Sequence, residues 1–282
     1  MNIKNFLGEA TNFLVRNAQL ERAEAHLQAR LLLDDATGTR FCHLISPEAI
    51  LEASQLEKLQ RNLEDAARGR PIPYILGHAP FFGLNFEVAE AVLIPRPETE
   101  LLVETVLEKL KNRQNAKIAD LGTGSGAIAV TLAKMRPDFA VWALDISPGA
   151  LQIAGRNART HSVSVEWIAG SGDWLAPLEP FAPFNAIISN PPYIAAQEIE
   201  TLDVGVREFE PRLALDGGAD GLDPYREIAS GARKLMTRDG FLAMEIGAGQ
   251  WHDIHAIFTQ SGFDVESPRL DLAGIERVLV AN

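Results

Sequence analysis

Lys117-Ile118-Ala119-Asp120-Leu121-Gly122-Thr123-Gly124-Ser125-Gly126 reads as a short buried strand that runs into a glycine-rich turn. Glycine lets a backbone turn tightly and approach a ligand closely. A helix from about Ser125 to Met135 follows, and outward from there the alternation continues. A second strand, Ala140 to Leu144, ends at Asp145, and Ser147-Pro148 caps the next helix. Val163 to Ala169 and Phe184 to Ser189 read as a third and a fourth strand. Pro224 to Met236 reads as helix, Gly240 to Ile246 as strand and Gln250 to Ser261 as helix. Phe263 to Glu266 and Arg277 to Val280 close the chain as strands. Strands separated by helices predict an α/β fold with a parallel, doubly wound sheet, whose ligands bind outside the carboxyl ends of the strands.

Two of those strand ends carry chemistry of one kind. Asp145 is placed to accept hydrogen bonds from two ribose hydroxyls. The loop is G-x-G-x-G, where a dinucleotide fold has G-x-G-x-x-G, and Asp120 before it can meet a ligand ammonium directly or through water. The pair favours an amino-acid-bearing nucleoside, S-adenosylmethionine, over a nicotinamide dinucleotide. After the third strand, Asp173 can accept from an adenine amino group, and Trp174 either stacks on that ring or packs in the core. After the fourth stands Asn190-Pro191-Pro192-Tyr193, in which two prolines make a stiff, non-helical turn. Asn190 Oδ1 and the Pro191 carbonyl can accept both N–H bonds of a planar –NH2 group while Tyr193 packs on one of its faces. The other face stays open to an electrophile, which suits alkylation of a weakly nucleophilic nitrogen.

The rest of the chain bounds this reading. It has 282 residues, 46% apolar and 23% charged, enough for one large domain or two unequal ones. A net charge of −12 with no evident basic patch disfavours stable DNA binding. One cysteine, Cys42, excludes an intramolecular disulfide and suits a reducing cytoplasm. The chain start lacks a signal-peptide layout and no apolar stretch is long enough to span a membrane. Residues 1–72 read as a small helical domain, with Leu7, Leu14, Leu20, Leu27, Leu31, Leu32 and Leu33 as its apolar pattern and Ser46-Pro47-Glu48 as a helix start. Packing and partner docking are both open roles for it. Residues 73–95 read as a linker with a β-hairpin centred on Gly83-Leu84-Asn85, and residues 96–282 as the catalytic domain. Arg96, in the segment that opens the first helix of that domain, reads as a surface charge or as part of a motif. His26 and His43 lie too far apart in sequence to suggest a metal pair, and His252 and His255 lack a completing cluster, so no metal is expected.

The glycine loop, Asp145 and Asn190-Pro191-Pro192-Tyr193 together resemble amino-group methyltransferases. Ile94-Pro95-Arg96-Pro97-Glu98-Thr99-Glu100 and the stretch from Glu210 to Leu222 (EPRLALDGGADGL) resemble the release-factor glutamine methyltransferases, the PrmC/HemK family. The resemblance extends over nearly the whole chain. It implies a Rossmann-like methyltransferase sheet, mostly parallel with an antiparallel strand near the C-terminus, beside a helical N-terminal domain. It implies a cytoplasmic enzyme that methylates the side-chain nitrogen of the glutamine in the Gly-Gly-Gln loop of class 1 peptide chain release factors. S-adenosyl-L-methionine would be the donor and S-adenosyl-L-homocysteine the product. Gly122, Thr123, Gly124, Ser125, Gly126, Asp145, Trp174 and Asn190 would hold the donor. Asn190, Pro191, Pro192 and Tyr193 would hold the glutamine, with Asn190, Pro191 and Tyr193 acting in catalysis.

Three other readings use the same motifs. An adenine-amino DNA methyltransferase meets the same tetrapeptide but needs a basic, base-flipping surface. A glutamine methyltransferase acting on a ribosomal protein is nearer. A non-catalytic adaptor that retains the fold would not bind the donor.

Overall fold

In the computed structural model, which describes residues 1–282, the chain divides into two units, residues 1–78 with 203–209 and residues 79–202 with 210–282. The first unit is helical: α1 (Ile3–Asn17), α2 (Arg22–Thr37), α3 (Cys42–Ile45), α4 (Ala53–Ala67) and α5 (Ile72–Leu76), with α9 (Val204–Arg207) inserted from later in the chain. Leu14, Leu32, Leu33 and Leu59 are wholly buried, and Ala25 and Ala29 keep the side chains short where α1 and α2 pack. Leu27 and Leu31 lie instead on the outer face of α2, because its buried stripe runs through Ala25, Ala29, Leu32 and Leu33. The expected helix start at Ser46-Pro47-Glu48 is a turn. The first amides of α1 have no partner within their own helix. Ile3 N and Lys4 N donate to the Ala49 and Pro47 carbonyls at 3.0 and 2.9 Å, which draws this segment onto α1. The helix begins at Ala53, where Glu52 and Gln55 form a reciprocal capping box. Folding brings the His26 and His43 rings to 6.4 Å, edge to face, but no group of three or more His, Cys, Asp or Glu side chains is placed to hold a metal ion.

A hairpin of β1 (His78–Phe81) and β2 (Leu84–Glu87) follows and, apart from His78, belongs to the second unit. Its turn falls at Phe82-Gly83, one residue earlier than expected, with both residues at positive φ (+50° and +73°). That is the two-residue turn whose twist matches paired strands. Phe82 rarely adopts such a φ, and Glu100 Oε1 holds its amide at 2.8 Å. Then follow α6 (Thr99–Lys109), β3 (Lys117–Leu121), α7 (Ala127–Met135), β4 (Ala140–Asp145), α8 (Pro148–His161), β5 (Glu166–Ala169) and β6 (Phe184–Ser189). The chain closes through α10 (Asp223–Gly231), β7 (Met236–Glu245), α11 (Trp251–Gln260), β8 (Arg269–Leu270) and β9 (Glu276–Ala281).

The sheet has seven strands in the order β5-β4-β3-β6-β7-β9-β8. It is parallel from β5 to β7, and β9 runs antiparallel to β7 and β8. The strand expected at Phe263–Glu266 is a single bridge, Val265 to Ala281, and β8 lies further on. The helix expected to reach Met236 ends at Gly231 in a tighter 3-10 turn, so that Met236 already pairs with Phe184 in the sheet. Along β3 and β6, Ile118 and Ile188 enter one core with α6 and α7, while Ala119 and Ile187 enter the other with α10 and α11. Burial on both faces explains why Ala186, Ile187 and Ile188 follow one another in β6 without polar alternation. The order reverses between β3 and β6, and at such a switch point a crevice opens at the carboxyl ends of the strands.

Candidate active site

That crevice is a cavity of about 530 Å³, within the range of small-molecule sites. The glycine loop forms one wall. Gly122, Gly124 and Gly126 all sit at positive φ (+69°, +56° and +80°), where only glycine is unstrained. Gly122 N and Thr123 N both donate to the Leu144 carbonyl at 2.9 Å, which ties the loop to the end of β4. Gly126 caps α7, and a methyl group there would stand 3.0 Å from Ala154 Cβ on α8. Asn157, buried on α8, braces the same loop. Its Nδ2 donates to the Ser125 carbonyl at 2.8 Å and to the Glu87 carbonyl at 3.0 Å, and its Oδ1 accepts from Glu87 N at 2.7 Å. One amide side chain thus joins loop, α8 and hairpin.

Asp120 does not line the cavity. It is buried beneath the loop, where Oδ2 accepts from Thr123 Oγ1 at 2.7 Å. Burial pushes its carboxyl up to about 7, against the Thr123 hydrogen bond and with the nearby Asp145 charge adding to the rise. Asp120 thus braces the loop from beneath through Oδ2, while its Oδ1 is buried without a hydrogen-bond partner. Asp145 does face the cavity. Its Oδ2 accepts from Gly124 N and its Oδ1 from Ser147 N, each at 2.8 Å. Burial raises its carboxyl pKa, and these two amides oppose the rise. Each carboxylate oxygen keeps a second lone pair for a ligand hydroxyl. Trp174 lines the cavity while packing against the second core, and a methyl group on Gly122 would stand 3.2 Å from its ring. Asp173 caps the turn after it, accepting from Leu175 N and Ala176 N at 2.8 Å, and these bonds hold its carboxyl below the usual range.

The opposite wall follows β6. Ser189 Oγ donates to the Leu121 carbonyl at 2.8 Å and clamps β6 to β3 at the switch point. Asn190 and Pro192 line the cavity, whereas Pro191 and Tyr193 do not. Tyr193 is partly buried against the second core, and its hydroxyl is pushed up to about 12, by burial and then by the nearby Glu245. Gln250 Nε2 donates to the Tyr193 carbonyl at 2.9 Å. Ile194 N and Gly217 N exchange bonds with Leu215 O and Ile194 O, so the loop from Glu210 to Leu222 runs beside the tetrapeptide as a short parallel bridge. At Gly217 and Gly221 a methyl group would collide with the backbone of Pro192 and Tyr193.

Two further pairings join segments that the sequence treats separately. Arg96 Nη2 donates to Glu210 Oε1 at 2.6 Å, with the Glu210 side chain 1% exposed. Arg96 is thus no free surface charge. It ties the segment before α6 to the loop that lines the cavity. Thr99 Oγ1 donates to Glu245 Oε2 at 2.6 Å, and Asn190 Nδ2 donates to Thr99 Oγ1 at 3.1 Å. Of the residues singled out in the sequence, Arg96, Gly122, Thr123, Gly124, Ser125, Asp145, Asp173, Trp174, Asn190 and Pro192 meet around one cavity, while Asp120, Gly126, Pro191 and Tyr193 do not line it. Thr99, Glu210 and Asn157 were not singled out. The first two sit inside quoted motif stretches, whereas Asn157 left no signal.

Residues 7–77 match the family model of the PrmC N-terminal domain, and residues 97–210 match that of the methyltransferase small domain. The chain is 41% identical over 283 aligned residues to the release factor glutamine methyltransferase of Moorella thermoacetica, covering 100% of this chain and 98% of that protein. It is 43% identical over 260 residues to that of Burkholderia pseudomallei, covering 89% and 90%. Among solved structures, a methyltransferase from Pyrococcus furiosus superposes with a TM-score of 0.53 at 16% identity, covering 82% of this chain and 98% of that one. The hMettl16 catalytic domain superposes at 0.57 with 14% identity, covering 90% of each chain. These two share the fold. No helix is long and apolar enough to cross a membrane.

Proposed function

The chain belongs to the release factor glutamine methyltransferase family, and from that premise we propose that it methylates the side-chain amide nitrogen of the Gly-Gly-Gln glutamine in class 1 release factors, with S-adenosylmethionine as donor. A cytoplasmic location accords with that substrate. One observation carries the reading: a single cavity is walled on one side by the glycine loop and Asp145 and on the other by Asn190.

The residues present fit the donor. The cavity is large enough, and a methyl group on Gly124 would project into open space with nothing within 4 Å. Asp145 offers acceptors for ribose hydroxyls and Trp174 offers a ring face for the base. When bound, S-adenosylmethionine supplies a methyl carbon activated by its positive sulfur. A carboxamide nitrogen is a poor nucleophile because its lone pair is delocalised, so placement matters most. Asn190 Oδ1, on the cavity wall, accepts an N–H bond of the glutamine amide and turns its nitrogen toward the methyl carbon. That oxygen also stabilises positive charge that develops on nitrogen. The extra proton of the product amide passes to water.

The test incubates the protein with labelled S-adenosylmethionine and three acceptors: an unmodified release factor, its Gln→Ala loop variant, and duplex DNA. Label on the intact release factor alone is the expected result. Label on the variant as well would move the acceptor to another residue, and label on DNA would replace the substrate class.

A further inference from the structure

The Asn190 side chain can in principle be placed either way round, because its oxygen and its –NH2 group are nearly the same size. Only one placement offers an acceptor to a substrate amide. Its surroundings decide between them. Thr99 and Glu245 are both buried, 4% and 1% exposed. An ionised carboxylate can only accept hydrogen bonds, so the single Thr99 hydroxyl proton is committed to Glu245 Oε2, 2.6 Å away. Toward Asn190 the Thr99 oxygen can then only accept. Asn190 must turn Nδ2 to it, at 3.1 Å, and Oδ1 points the other way.

We propose that Thr99 and Glu245 are positioning residues that set the flip state of the Asn190 amide, so that the site takes an N–H donor and refuses an acceptor at that point. A glutamine presents N–H bonds there, whereas a glutamate at the same place presents only lone pairs to Asn190 Oδ1 and is refused. The inference rests on reading Asn190 as the anchor of the methyl acceptor. The chain spans three elements: the N-terminus of α6, the end of β6 and the end of β7.

The relay responds to pH. Burial first of all pushes the Glu245 carboxyl up to about 7. The Thr99 hydrogen bond and the Arg277 and Arg96 charges oppose the rise, and Glu98 adds to it. Tyr193 and Tyr225 also face Glu245, and Tyr225 Oη donates to its backbone carbonyl at 2.9 Å. Once protonated, Glu245 can donate to Thr99, whose own proton is then free to turn to Asn190. Both flip states become available, and turnover falls as the solution is acidified through that range.

The experiment compares wild type, Thr99→Ser, Thr99→Val and Glu245→Gln on an unmodified release factor from acid to mildly alkaline pH, with donor binding by calorimetry. In parallel, the Asn190 side-chain amide signals are followed in nitrogen-15-labelled protein without substrate. Thr99→Ser keeps the relay and the wild-type rate. Thr99→Val and Glu245→Gln lower kcat by about tenfold to a hundredfold, the effect of one mispaired buried group, while donor affinity stays within about twofold. Glu245→Gln also removes the acidic limb of the rate profile and the matching shift of the Asn190 signal. Wild-type kcat with an unchanged limb in Glu245→Gln would overturn the proposal, as would an Asn190 signal indifferent to that change. So would equal losses in Thr99→Ser and Thr99→Val. If wild type methylates no release factor, the functional reading fails, and the amide signals still decide the flip state.

Discussion

Replacing Arg96 with alanine tests the tie between the segment before α6 and the loop that lines the cavity. The change leaves the Glu210 carboxylate buried, with Oε2 already lacking a hydrogen-bond partner. Removing one partner of a fully buried ion pair costs about 3–5 kcal/mol. Arg96 is 32% exposed and partly screened by solvent, which lowers the expected loss to about 2 kcal/mol. The sign of the pH dependence follows from the cause of the Glu210 shift. Burial raises its carboxyl pKa, and Arg96 opposes the rise. Without Arg96 the folded-state pKa climbs further above its unfolded value. The deficit is therefore full at mildly alkaline pH and shrinks as pH falls through the folded-state pKa, because the folded state takes up the proton more readily. All four tryptophans (Trp142, Trp167, Trp174 and Trp251) lie in the second unit, so tryptophan fluorescence during urea unfolding reports on it alone. Adding Glu210→Gln removes the stranded charge and should recover most of the loss. A loss under about 0.5 kcal/mol, the level of an ordinary surface substitution, would refute the reasoning. So would a deficit independent of pH, or a double variant no better than Arg96→Ala.

Asp145→Asn replaces one acceptor oxygen with a donor, so Gly124 N or Ser147 N loses its partner; S-adenosylmethionine affinity should fall about tenfold or more by calorimetry. Asn157→Ala leaves Ser125 O and both Glu87 backbone groups without their bonds; a loss of about 2–3 kcal/mol in the urea assay, with weaker donor binding, is expected. Asn190→Ala should abolish turnover while donor binding largely survives, measured by label transfer and calorimetry on the same preparation. Tyr193→Ala should slow label transfer more than Tyr193→Phe, since the ring packs against the second core; equal losses would shift the role to the hydroxyl.

What the sequence determined was everything carried by local pattern. The strand-helix alternation from Lys117 onward, the glycine loop and the Asn-Pro-Pro-Tyr turn announce themselves within a few residues, because periodicity and turn chemistry act between near neighbours in the chain. The mostly parallel sheet and the placing of Asp145 and Asn190 at strand ends around one cavity follow from that pattern through the handedness and switch-point rules. Tertiary structure decided which partners satisfy buried polar groups. The Thr99–Glu245 bond spans 146 positions and the Arg96–Glu210 bond 114. No local rule links residues so far apart, yet each pairing is enforced once the fold removes the groups from water, since a buried donor or charge must find a partner. The same demand explains two departures from the local pattern. The unpartnered amides at the start of α1 capture the Ser46-Pro47 turn, and Glu100 holds the Phe82 amide in a turn that phenylalanine would not choose alone. Local chemistry named the loops of the site; the satisfaction of buried polar groups fixed how they are held.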